Sequence, residues 1–261
     1  MSVLPEQAVE PRSAIHPYLQ AGRYELLRLA REPIYTSCVI GFPVLLFVLF
    51  GLGSGTTQFH GYPLPRYLVA SYSSFGAMGA ALFAVAGGIA HERGHGWLEL
   101  LRAFPMPAGA YLFAKLLASL CFGVAVLLIL LGLGYATTNL QISAAQALDL
   151  LLATVASVLL FACMGVALGL LLPANGAPAV LNLVFLPLSL CGGLWIPLES
   201  LPKWLQAIAP ALPSYYSGRL ALHALGYGSG DAIAAVAAMG AYAAAFAMLA
   251  LWLFRRQELA Q

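Results

Sequence analysis

The apolar positions of this chain fall in long blocks separated by short polar segments. A helix needs roughly 20 mostly apolar residues to cross about 30 Å of hydrocarbon. Six blocks meet or approach that length: 34–53, 67–90, 109–135, 147–172, 179–196 and 231–254. The pattern predicts an all-α integral membrane protein with six transmembrane helices, an N-terminal segment over 1–33 and a short tail over 255–261. The fifth block is short and irregular. Pro187 removes a backbone donor there, and Gly192–Gly193 loosens the helix further.

The segments between the blocks carry patterns of their own. Before the first block, Ile15, Leu19, Gly22, Leu26 and Leu29 recur at spacings of four and three, with Arg23, Glu25, Arg28, Arg31 and Glu32 on other faces. This predicts an amphipathic helix along the inner membrane surface, with an ordinary solvated helix as the alternative. Pro33 separates it from the first span. Between the second and third blocks, a short amphipathic helix is predicted over about 92–104. Trp97, Leu98, Leu100, Leu101 and Phe104 make it apolar, Glu92, Arg93, Glu99 and Arg102 make it polar, and Pro105 and Pro107 end it. Such a helix on a tight turn suits docking into a groove on another protein; a plain interfacial loop helix is the alternative. The stretch 197–226 is too polar to span and too apolar for a free loop. Trp195, Trp204, Tyr215 and Tyr216 suit the membrane–water boundary, so short re-entrant helices in the outer leaflet are predicted.

Composition sharpens this picture. Of 261 residues, 61% are hydrophobic and 8% charged, against roughly 25% charged in a soluble protein, so a soluble fold is excluded. The net charge of +2 is too small to indicate nucleic acid. The first 33 residues carry four arginines and four glutamates ahead of any long apolar run, so no cleavable signal peptide is expected. With a cytoplasmic N-terminus and six crossings, Arg12, Arg23, Arg28, Arg31, Arg93, Arg102, Lys115, Arg255 and Arg256 lie inside, and only Arg66, Lys203 and Arg219 outside. This agrees with the positive-inside rule and places both termini in the cytoplasm. Lys115, just inside the third block, is expected to snorkel to the headgroups. Cys38, Cys121, Cys163 and Cys191 all lie in apolar runs and are expected to act as small buried hydrophobes.

Two candidate chemistries follow. His91-Glu92-Arg93-Gly94-His95 matches the H-E-x-x-H pattern, in which two histidines one turn apart hold zinc and the glutamate acts as general base. That gives an intramembrane zinc metalloprotease as one reading, although Gly94 and Gly96 weaken the helix it needs. The other reading is transport. Ser71, Tyr72, Ser73 and Ser74 open the second block, and Asn182 and Ser189 lie in the fifth; these are polar residues that hydrocarbon would exclude, fitted either to a path or to helix contacts. Span centres almost free of charge argue against a small-ion pathway and favour an apolar or amphipathic cargo such as a drug, a lipid or a glycolipid-like compound. The chain has no G-x-x-x-x-G-K-[ST] loop, so an ATP-driven process needs a separate ATPase.

Two stretches resemble the type-2 ATP-binding-cassette (ABC) exporter permeases. Glu92, Arg93, Gly96, Leu98, Glu99, Leu101 and Pro105 occupy the places of that family's E-R-E-x-G-T-L-E-x-L-L-x-x-P pattern, with departures at Gly94 and Trp97. The run from Gly193 through Trp195, Pro197, Pro202, Trp204 and Pro210 is similar to the family's pattern before the last span. The resemblance implies an exporter permease in a bacterial inner membrane. Its partners would be two ATPase subunits that hold the ATP and magnesium, a second copy or close paralogue of this chain, and membrane lipids; the permease itself carries no cofactor. It implies coupling through Glu92, Arg93, Trp97, Glu99 and Arg102.

Overall fold

The computed structural model describes residues 16–54, 58–59, 62–96, 108–138, 140–227 and 231–258, and within them the long apolar blocks are helices. An apolar run in lipid has to satisfy its backbone internally, and a helix does this segment by segment. Helix α1 is His16–Ala30. It is followed by α2 (Pro33–Gly51), α3 (Leu64–Gly94), α4 (Ala108–Thr137) and α5 (Ala144–Leu171). Then come α6 (Ala177–Cys191), the short α7 (Lys203–Ile208), α8 (Pro213–Ala224) and α9 (Ala232–Glu258). Between α2 and α3, β1 (Gln58–Phe59) pairs antiparallel with β2 (Tyr62–Pro63).

Five of these helices, α2 to α5 and α9, are long and apolar enough to cross a membrane. The fifth predicted block forms a shorter element. Helix α6 has 15 residues, which at 1.5 Å per residue is about 22 Å. The helix runs through Pro187 and stops at Gly192, and Gly193 takes a left-handed turn at φ 76°. The glycine pair, not the proline, therefore ends it. At the start of α5, Ser143 and Gln146 form a reciprocal capping box that begins the helix at Ala144, earlier than the apolar block alone indicates.

Helix α3 forms the centre, with 94% of its apolar window buried. Its run of Ala, Gly and Ser lets α2, α4, α5 and α8 pack directly against it. Two π-helical stretches, Ser37–Gly41 and Leu82–Gly87, interrupt α2 and α3, and the Tyr35 hydroxyl, ahead of the first, donates to the Ala80 carbonyl, ahead of the second, at 3.1 Å. Helix α1 lies along α4. Helix α9 rests on α5 and α8, with Ile233, Val236, Met248, Leu251 and Trp252 exposed on its outer side. Cys38 and Cys121 are also exposed, on the bundle's apolar outer surface and not in its core as the sequence indicated.

Candidate functional site

The face that α1 turns toward the bundle carries Gly22, Glu25 and Leu29, all buried, while Leu19, Tyr24 and Leu27 point outward. The sequence pattern put Glu25 on a polar outer face. It is buried because a partner waits there. Lys115 Nζ, on the second turn of α4, lies 3.1 Å from Glu25 Oε1 and 2.9 Å from Glu92 Oε1 at the end of α3. Arg28 joins the group, 2.7 Å from Glu25 Oε1 and 3.5 Å from Glu92 Oε1. The Tyr111 hydroxyl donates to Glu92 Oε2, and the Lys115 ammonium sits 4.9 Å above the Tyr111 ring. Two carboxylates and two cations thus close a neutral group drawn from three helices.

Lys115 is 1% exposed, so it does not snorkel as the sequence indicated; its ammonium turns inward because two carboxylates offer it charge-assisted hydrogen bonds. Burial works against the Arg28 charge, but the fields of Glu25 and Glu92 outweigh it and raise the guanidinium pKa above its ordinary value. The approach depends on Gly88, because a Cβ there would lie 2.5 Å from Lys115 Nζ. Thr36 Oγ1, at the start of α2, donates to the Leu29 carbonyl and fixes the α1–α2 corner beside the cluster.

Glu92 and Arg93 belong to the last turn of α3 and not to a separate helix. Glu92 is 8% exposed and engaged within the chain. Arg93 Nη1 donates to the Leu170 carbonyl near the end of α5, with Gly169 O at 3.4 Å. Trp97, Glu99 and Arg102 lie outside the described residues. His91 and His95 are exposed, with ring centroids 4.2 Å apart. Glu92, the general base a zinc protease would need, is buried away from them among Lys115, Tyr111 and Arg28. Among the described residues, no third His, Cys, Asp or Glu joins the pair.

The residues singled out for a path are held between helices. Ser71, Tyr72, Ser73 and Ser74 are all buried. The Tyr72 hydroxyl donates to the Trp195 carbonyl at 3.1 Å, and Ser74 Oγ to the Ser217 carbonyl at 3.3 Å. Ser157 and Ser217 hydroxyls meet at 2.7 Å, linking α5 to α8. Ser189 accepts the Trp195 indole N–H at 2.9 Å, so that tryptophan is tied to both α3 and α6. Tyr72, Ser74, Ser157 and Ser189 thus join different elements, whereas Ser73 donates to Ala70 O within its own helix. Asn182 differs: it is exposed on α6 and, among the described residues, donates to its own helix at Pro178 O. Of the residues before the last span, Pro197 leads into a short 3-10 turn, Pro202 precedes α7, Trp204 is exposed on α7, and Pro210 lies in the 3-10 turn before α8.

Sequence reading missed two sites. Glu25–Lys115 was hidden because its members are 90 residues apart. Arg66, assigned only as an outer charge, is buried and donates to Gln141 O at 2.9 Å and Leu225 O at 2.6 Å, clamping the ends of α3, α8 and the α4–α5 connection.

A family model described as ABC-2 type transporter matches residues 18–225. The chain is also 24% identical over 234 residues to the Bacillus subtilis (strain 168) protein named "Putative transport permease YvfS", covering 90% of this chain and 95% of that one.

Proposed function

The chain belongs to the ABC-2 type transporter family, and from that premise we propose that it is the permease subunit of an exporter driven by ATP hydrolysis in a separate ATPase chain. The family and the five long apolar helices make it a multi-pass membrane permease. On our reading, α6 is a short fifth crossing, the segment through α7 and α8 is re-entrant in the outer leaflet, and α9 returns to the cytoplasm. Two copies pair, each docks one ATPase that holds the ATP and magnesium, and the cargo is apolar or amphipathic. The membrane is the bacterial inner membrane, with both termini cytoplasmic.

The observation that carries this reading is the closed charge group. It fastens α1 to the two helix ends that flank residues 97–107 in sequence, the segment we read as docking on the ATPase. A push on that segment then reaches α1, α3 and α4 together. Breaking the group would strand charge in a poorly solvated place, so these three ends move as one unit. Glu92 and Arg93 act from within the chain, and Trp97, Glu99 and Arg102 face the ATPase. ATP binding does work only through different affinity for two states of the permease. Asn182, the polar side chain on the outer side of α6, faces the second copy or the path, since hydrocarbon would leave its oxygen without a donor.

The reading is tested by co-expressing the chain with a candidate ABC ATPase and purifying the pair into nanodiscs. Co-elution with ATP hydrolysis is expected, and Trp97→Ala or Glu99→Ala should lower both. If no ATPase associates under any condition, the reading fails.

A further inference from the structure

The charge group leaves one pair of functional side chains unused. His91 and His95 sit one turn apart at the end of α3, both exposed, with ring centroids 4.2 Å apart and planes tilted by 41°. His95 Nδ1 lies 2.8 Å from the His91 carbonyl oxygen. A carbonyl only accepts, so this nitrogen carries the proton in the neutral ring and Nε2 keeps its lone pair. A ring nitrogen held by a backbone carbonyl while the other stays open is how ligating histidines are commonly oriented. The two charged neighbours are turned away: Glu92 into the cluster and Arg93 onto α5. Among the described residues, the histidine face therefore has no resident cation beside it.

The pair also sits at a mechanically sensitive point. His95 caps α3, and Gly96 then takes φ 69° as the chain leaves the helix. Gly94 is held against Ala174, where any Cβ would collide. The last turn is thus pinned to the α5–α6 connection through Gly94 and to the charge group and α5 through Glu92 and Arg93, while among the described residues its histidine side carries only the local hydrogen bond and the ring contact. Its two glycines make this turn intrinsically weak.

We propose that His91 and His95 form a transition-metal site of the zinc, nickel or copper class, and that an ion bridging them tightens the last turn of α3 and slows the coupled ATPase. Imidazole pairs at this spacing on a helix suit such ions. The site has no catalytic role, since Glu92 is committed elsewhere. Two imidazoles leave coordination positions to water, so the ion binds reversibly and acts as a brake. The brake rests on the permease reading above; the metal site does not.

The test separates the two. Zn2+ is titrated into the purified permease carrying a tag free of histidine, with His91→Ala, His95→Ala and the double variant alongside. Both side chains are exposed, so the variants fold. One ion per chain is expected, and either single variant should weaken binding by about 100-fold, the advantage of a second linked ligand. Zinc is then added to the permease–ATPase complex in nanodiscs, where hydrolysis should fall for wild type and not for the double variant. Binding no stronger than that of the double variant would overturn the site. Stoichiometric, histidine-dependent binding without any change in hydrolysis would overturn the brake and leave the permease reading untouched.

Discussion

Lys115 and Glu92 meet at 2.9 Å, 23 residues apart in sequence and on the two helices that enclose residues 97–107. The lysine is almost entirely buried and shares its ammonium with Glu25 on α1, so one side chain joins three helix ends. Removing one member of a buried, hydrogen-bonded charge group costs far more than removing a surface pair, because the others keep their desolvation cost without their partner.

Lys115→Met should therefore destabilise the protein by about 3–5 kcal/mol. Adding Glu92→Gln should recover part of that loss, since it removes one stranded carboxylate. Thermal unfolding of the purified permease in detergent gives the comparison. A single variant as stable as wild type would show that the cluster is not formed in solution.

Two adjacent glycines give a sharper contrast. A Cβ on Gly88 would lie 2.5 Å from Lys115 Nζ, whereas one on Gly87 would meet only Leu181 Cδ1 at 3.7 Å. Gly88→Ala should cost about 1–3 kcal/mol by driving the lysine off its carboxylates. Gly87→Ala should be neutral or stabilising by up to about 1 kcal/mol through helix propensity. Equal effects at the two positions would contradict the assigned packing.

At the opposite end of α3, Arg66→Met should leave the Gln141 and Leu225 carbonyls short of a donor, at about 1–3 kcal/mol for a buried group left unsatisfied. Hydrogen exchange should quicken at the C-terminus of α8 and around residues 140–143. Unchanged protection there would remove Arg66 as the clamp.

The helical blocks were legible in the sequence because apolar length alone decides whether a helix can span. The start of α5 was placed late, at 147, because apolar length does not register the Ser143–Gln146 capping box that begins the helix at Ala144. What the pattern did not give was the partner of each polar residue. Glu25 and Lys115 each looked like a surface charge when taken alone, and only the packing of α1 on α4 makes them a buried pair. The serines of α3 looked like path residues by composition, yet Ser73 donates to the Ala70 carbonyl and Ser74 to the Ser217 carbonyl, contacts no apolar pattern shows. The end of α6 was misplaced for a local reason: proline within a helix is tolerated when the lost donor can be spared, and the paired glycines break it.

The charge asymmetry also makes an orientation testable. In a background with the four native cysteines replaced by alanine, Gln20→Cys should react with a membrane-impermeant maleimide only from the cytoplasmic side, and Ser200→Cys only from the opposite side. Both positions are exposed. Labelling of the two from one side would reverse the assignment of α7 and its flanking turns to the outer leaflet.

On the proposed function, the Glu25–Lys115–Glu92 cluster transmits force between a docked ATPase and the spanning helices. The most direct measurement is ATP hydrolysis and cargo-independent co-elution of the permease–ATPase complex in nanodiscs, for wild type and for the paired variant Lys115→Met with Glu92→Gln, at a temperature where both remain folded. The account predicts that the ATPase still co-elutes with the paired variant and that its coupled turnover falls at least about tenfold, a loss of about 1.4 kcal/mol in the coupled step. Wild-type turnover from a folded, ATPase-bound paired variant would contradict it.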